Sequence, residues 1–193
     1  MSGMTESDGY LLGRAASEID RLRLQAEIYA PHSEHLFALA GVGPGMRVLD
    51  IGCGAGDVTM AAARLVGPSG SVIGVDLDAD VLELARARAA EAGLGNVSFV
   101  RATLPDVALA EPVDALIGRL VLIHLTDPVD AVRRLTGLVR PGGVAVGLID
   151  NSLLPKAVTG ARQLSGAIIP PVNASAPNKI GRASCRERVC MLV

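Results

Sequence analysis

The chain has 193 residues, half of them apolar, with two Phe, two Tyr, no Trp, three Cys and a formal charge of −2. That length and apolar content fit one domain with a sizeable core, built mainly from Ala, Val, Leu and Ile. The charge leaves no basic footprint for nucleic acid, no apolar run reaches bilayer length, and no charged-then-apolar leader opens the chain. A soluble cytoplasmic protein is expected, with neither nucleic acid nor membrane as partner.

Residues 1–9 are small and polar and read as disordered. Ala15, Ile19, Leu22, Ala26 and Tyr29 recur at spacings of four and three, which predicts an amphipathic helix from about Gly13 to Ala30, ended by Pro31. Ser33 caps a second helix through Leu36 and Leu39 to Gly41. Gly41-Val42-Gly43-Pro44-Gly45 spells GxGxG, yet it precedes a strand and carries Pro44, so it reads as a turn. Residues 1–45 are thus expected to form a helical cap on a domain spanning 46–179.

The domain opens on Val48-Leu49-Asp50-Ile51-Gly52-Cys53-Gly54-Ala55-Gly56-Asp57, a short buried strand followed by a glycine loop and a helix start. Gly52, Gly54 and Gly56 give GxGxG, whereas a dinucleotide fingerprint needs its third glycine where Asp57 stands. Asp50 and Asp57 flank the loop with negative charge, which repels a diphosphate and suits a ligand carrying an ammonium and a sulfonium, as S-adenosylmethionine does. The helix is expected over Asp57 to Val66. Asp76 ends a second apolar run and can accept from both ribose hydroxyls of a nucleoside. Asp78 caps a helix over about Ala79 to Ala92, stopped by Gly93, and Asn96 to Val100 is a third strand. A fourth strand follows at Val113 to Gly118. Asp127-Pro128 starts a helix to about Val139, and Pro141-Gly142-Gly143 turns into a fifth strand, Val144 to Ile149. Ser152 to Gly166 reads as one more helix. The result is an α/β fold with a doubly wound, mainly parallel sheet.

The glycine-loop stretch, Gly74-Val75-Asp76-Leu77-Asp78, Val113-Asp114-Ala115-Leu116-Ile117, Arg119-Leu120-Val121-Leu122-Ile123-His124-Leu125 and Val139-Arg140-Pro141-Gly142-Gly143 occur in an order that resembles class I, Rossmann-like S-adenosylmethionine-dependent methyltransferases of the small-molecule type. The resemblance covers about Tyr10 to Asp150. It implies S-adenosyl-L-methionine as cofactor and a small-molecule acceptor. It places the cofactor against Asp50, Gly52, Cys53, Gly54, Gly56 and Asp57, against Asp76 and Leu77, against Thr103 and Leu104, and against Arg119. N-terminal helices would cover the site, and Arg21, Gln25 and Tyr29 either face the ligand or form a solvated polar face beside the core stripe. Thr103 stands where the family pattern has an acidic residue for the adenine amino group, so its hydroxyl, or Asp106 three residues on, would have to serve.

The segment leaving the fourth strand should face the sulfonium, and His124 is the one histidine there that could act as a general base, the alternative being a packed or capping histidine. His32 and His35 read as surface residues. Cys53 has no Cys or His partner at ligand spacing, so it reads as a small side chain fitted between glycines, and no metal site is expected. No Asp/Asn-Pro-Pro-aromatic run and no Pro-Cys pair follow the fourth strand, which points to a small-molecule acceptor.

Ile180 to Val189 resembles the in-frame translation of a short-read sequencing adapter, so residues 180–193 are read as a non-native tail. Without them three arginines and one glutamate go, and the charge moves from −2 to −4. The resembled fold has seven strands, the last two an antiparallel hairpin. Five are legible, so the final strands are expected to be missing and the fifth strand to present an open edge. Two other functions fit parts of the pattern: a nicotinamide-dependent oxidoreductase, and a truncated chain that binds cofactor without turnover.

Overall fold

The computed structural model describes residues 33–148 and two further strands, Ile168–Ile169 and Arg188–Leu192. The expected helices over Gly13 to Ala30 and Ser152 to Gly166, the polar start, and Arg21, Gln25, Tyr29 and His32 lie outside those residues.

Residues 33–40 are helical (α1), and Gly41, at φ 90°, closes the helix while the Val42 amide reaches back to the Phe37 carbonyl at 2.9 Å. The GxGxG decoy is a turn, as expected, and leads into β1, Arg47–Ile51. After the glycine loop come α2 (Asp57–Val66), β2 (Ser71–Asp76), α3 (Ala79–Glu91) and β3 (Val97–Arg101). β4 (Val113–Arg119), a short 3-10 turn at Leu122–His124, α4 (Pro128–Thr136) and β5 (Val139–Leu148) follow. Polar side chains set the helix ends. Asp78 accepts from the Asp80 and Val81 amides, Asp127 accepts from the Asp130 amide, and the Asn96 amide nitrogen donates to the Ala63 and Gly67 carbonyls at the end of α2.

The sheet runs β3-β2-β1-β4-β5-β7-β6, where β6 is Ile168–Ile169 and β7 is Arg188–Leu192, and every pair is parallel. The strand order reverses between β1 and β4, which makes that junction the switch point. One side of the sheet packs Val48, Val72, Ile117 and Val146 against Phe37 of α1 and Val58, Ala62 and Val66 of α2. The other packs Leu49, Ile51, Val75 and Leu116 against Ala131, Val132 and Leu135 of α4. Both sides are aliphatic, with Phe37 and Phe99 both buried.

Two features differ from expectation. The fifth strand begins at Val139, before the Pro-Gly-Gly turn, because Val139 pairs with Val113 and a register irregularity around Asp114 absorbs the following residues. The far edge of β5 is not open but paired with β7, and β6 and β7 are parallel where a hairpin would be antiparallel. No helix among the described residues is long and apolar enough to cross a membrane.

Candidate functional site

The glycine loop is held from below. The Cys53 amide donates to the Val75 carbonyl at 2.9 Å, and the Gly56 amide donates to the Cys53 carbonyl at 3.0 Å, which closes the turn before α2. Gly52 has φ 62°, and a Cβ there would stand 2.3 Å from Val121 Cγ2, so the segment after β4 closes onto the loop only over a bare α-carbon. Gly54 also has positive φ, but a Cβ there would meet nothing within 4 Å: it faces open space. Gly56 serves packing, with Ala85 and Phe99 at 3.2 Å from its would-be Cβ, and it does not line the cavity above. Cys53 turns its side chain into the cluster of Met60, Leu82, Ala85 and Phe99, and burial pushes its thiol far above the ordinary range. Such a thiol is no nucleophile at neutral pH.

Three carboxylates surround the loop in three different states. Asp50, 1% exposed at the end of β1, accepts the Thr59 hydroxyl at 2.6 Å. Burial pushes it up from 3.8 to about 7, against the opposing pull of that hydrogen bond and of the Arg119 charge. Asp57 pairs with Arg88 of α3 at 2.6 Å, and the same guanidinium donates to the Ala55 carbonyl at 2.7 Å. The negative collar expected from Asp50 and Asp57 is therefore weaker than their sequence positions imply: one is buried and held near half-protonation at neutral pH, the other is neutralised by a cation 31 residues away. Asp76 accepts the Gly54 amide at 2.9 Å and the Asp78 amide at 3.1 Å, one bond to each oxygen.

Above the loop, at the carboxyl ends of the strands, lies a cavity of about 860 Å³. Asp50, Gly52, Cys53, Gly54, Asp57, Asp76, Leu77, Thr103, Leu104, Arg119 and His124 all line it. Leu77 is 58% exposed and Ile123 44% exposed, two large apolar side chains left uncovered on the cavity wall. His124 is exposed on the 3-10 turn, and His35 is exposed on α1. Asp106 does not line the cavity; its carboxylate accepts from Arg134, so of the two expected adenine partners only Thr103 is in place. Gln25 lies outside the described residues, and no lining residue comes from 180–193. Among the described residues no group of three or more His, Cys, Asp and Glu is placed to hold a metal ion.

Sequence reasoning missed three contributors. Thr59 sits inside an apolar helical pattern and carries no motif signal, Arg88 acts across 31 residues, and Leu120 has φ 57°, a left-handed backbone that bulky residues seldom adopt. Leu120 lies in the cavity wall immediately after Arg119.

The family model described as "Methyltransferase domain" matches residues 43–166, ending ahead of β6. The ubiquinone/menaquinone biosynthesis C-methyltransferase UbiE of Pseudomonas paraeruginosa is 38% identical over 107 residues, covering 54% of this chain and 42% of that protein. The aklanonic acid methyltransferase DauC of Streptomyces sp. strain C5 is 37% identical over 123 residues, covering 63% of this chain and 56% of its own length. The chain thus spans about half the length of the curated relatives it matches. Among solved structures, a SAM-dependent methyltransferase from Aquifex aeolicus superposes with a TM-score of 0.53 at 25% identity, over 56% of this chain and 58% of the other. A SAM-dependent O-methyltransferase from Thermotoga maritima gives 0.62 at 21% identity, over 69% and 49%, a likeness of fold alone.

Proposed function

This chain belongs to the methyltransferase-domain family, and we propose that it carries the methyl group of S-adenosylmethionine to a small-molecule acceptor. The observation that carries this reading is the pairing, at the switch point, of a glycine loop open to the cavity with the Asp76 carboxylate, joined through the Gly54 amide.

The residues present fit the cofactor. Each Asp76 oxygen accepts one amide and keeps capacity for a ribose hydroxyl. Leu77 offers an uncovered apolar surface for adenine, and the Thr103 hydroxyl can accept from its amino group. When bound, S-adenosylmethionine supplies a methyl group on a sulfonium, a leaving group that is already activated. The chain's own work is to hold an acceptor in line with that methyl and to keep competing water out, tasks suited to the wall formed by Leu120, Val121, Ile123 and Leu125. His124 is the side chain on that wall suited to take a proton from an acceptor that must lose one. The names of UbiE and DauC refer to small organic molecules, which supports an acceptor of that class, and the acidic balance of the chain supports a site free of nucleic acid.

Calorimetry with S-adenosylhomocysteine and with NAD tests the reading. Binding of the first and not the second is expected, and Asp76→Asn should weaken it by roughly 1–3 kcal/mol, the scale of a charged hydrogen bond. Unchanged affinity in that variant would remove Asp76 from the site. Tight binding without turnover on a broad acceptor panel would favour the binding-only alternative.

A further inference from the structure

Thr103, Leu104 and Pro105, which line the cavity, belong to the connection between β3 and β4, residues 102–112, and that connection contains no helix or strand. Its ends are pinned. The Ala102 amide donates to the Asp76 carbonyl at 2.9 Å, and the Val113 amide donates to the Leu138 carbonyl at 3.0 Å. Between those points the backbone hydrogen bonds among the described residues are internal turns: the Asp106 amide to the Thr103 carbonyl at 2.7 Å and the Val107 amide to the Pro105 carbonyl at 2.9 Å. No ladder or helix holds the middle, so side chains must.

Leu104, Val107 and Leu109 are half-buried against the core on the α4 side, while Thr103, Asp106, Ala108 and Ala110 are exposed. Two ion pairs add to that hold. Away from the cavity Glu111 pairs with Arg47 of β1 at 3.0 Å, and beside the cavity Asp106 pairs with Arg134 of α4. Arg134 lines the cavity and Asp106 does not, so Asp106 ties the connection to α4 without reaching into the site. Asp106 is 67% and Arg134 49% exposed, and a pair so open to water holds weakly and is screened by salt.

We propose that residues 102–112 form a strap that opens and closes one wall of the cavity, with the Asp106–Arg134 ion pair as its latch. The proposal rests on the cofactor reading only for the identity of the ligand that passes. Segments with few buried contacts and no backbone partners open locally at the least cost. A wall tied in this way admits and releases a ligand while the sheet and its helices stay packed. Asp106 and Arg134 act as positioning residues, setting how often the strap leaves α4.

Surface plasmon resonance on the full chain, with S-adenosylhomocysteine in flow, tests the latch. That ligand carries no net charge, so salt acts on the ion pair and not on steering. Raising salt to about 1 M, where the screening length falls to about 3 Å, should speed wild-type association and dissociation together by about two- to fivefold, the range of an exposed pair. Asp106→Asn should show the faster rates at low salt and lose the salt response. Asp106→Arg combined with Arg134→Asp should restore the wild-type behaviour, and Glu111→Gln, at the strap's other tie, should change neither rate. A dissociation rate that rises alone would make the pair a static support of binding, and rates untouched by Asp106→Asn would leave the wall fixed; either result overturns the latch. Elastase, which cuts after small apolar residues, gives a reading that needs no cofactor. Cleavage within residues 107–110 should be faster in Asp106→Asn than in the wild type, because it follows the open population, and equal cleavage would also overturn the proposal. A wild type that binds no S-adenosylhomocysteine yet shows the elastase difference sinks the cofactor reading and keeps the strap.

Discussion

Asp50 and Asp114 lie on neighbouring strands of one sheet, near opposite ends, and their surroundings drive them in opposite directions. Asp50, at the carboxyl end of β1, is buried with a single neutral donor, Thr59, and its carboxyl is pushed up to about 7. Burial also works against the charge of Asp114, at the amino end of β4, yet it is outweighed: the Arg47 amide donates at 2.7 Å, the Arg140 guanidinium donates to the other oxygen, and both arginine charges help, so the carboxyl is held below its ordinary range. The end of the sheet that closes the fold satisfies its charge. The end that opens on the cavity leaves one carboxyl short of donors, the condition of a site awaiting a ligand.

The largest expected effect breaks the open end and spares the closed one. Gly52→Ala places a Cβ 2.3 Å from Val121 Cγ2 at a φ of 62°, so loop and post-β4 segment must separate. Cofactor affinity should fall by about a hundredfold or more, as expected when binding groups move by an ångström. Calorimetry together with a thermal melt separates this from unfolding: lost binding with a retained melting transition is the expected pair, and intact binding would mean that the closure onto Val121 is dispensable.

Asp50→Asn inverts the usual sign. A carboxyl whose folded value lies near 7 binds its proton more tightly in the native state, so its stability penalty is absent below about 3.8, grows between there and 7, and is complete above. The amide cannot ionise. The variant should therefore be more stable than the wild type at pH 8, by an amount on the order of a few kcal/mol, and the difference should close towards pH 4. Denaturant melts across that range check it, and a variant that is less stable at pH 8 would contradict the buried, donor-poor state of Asp50.

The elements from β1 to β5 were legible because they depend on local pattern: glycines at positive φ, Asp78 and Asp127 as caps, short apolar runs as strands; β6 and β7 were not expected. What stayed hidden was carried by pairs far apart in sequence. Arg88 cancels Asp57, Thr59 meets Asp50 from the next helix, and Asp106, which does not line the cavity, pairs with Arg134, so charges that flank a motif in sequence do not report its electrostatics in space. The β5 start was misplaced for a related reason: a Pro-Gly-Gly turn reads as a break, while the strand tolerates it by slipping register beside Asp114.

Asp114→Asn is the complementary and smaller test. Its carboxylate is favoured in the native state, so its contribution is present at neutral pH and is lost as pH falls through its depressed folded value. The amide keeps an acceptor for one donor but no charge for Arg140 and Arg47, and roughly 1–3 kcal/mol of stability should go at pH 7, with the two proteins converging in strong acid. Cofactor affinity should not move, because Asp114 lines no part of the cavity. If affinity fell with stability, the two ends of the sheet would be coupled through β4, whose other end carries Arg119, and the division of labour between the ends would not hold.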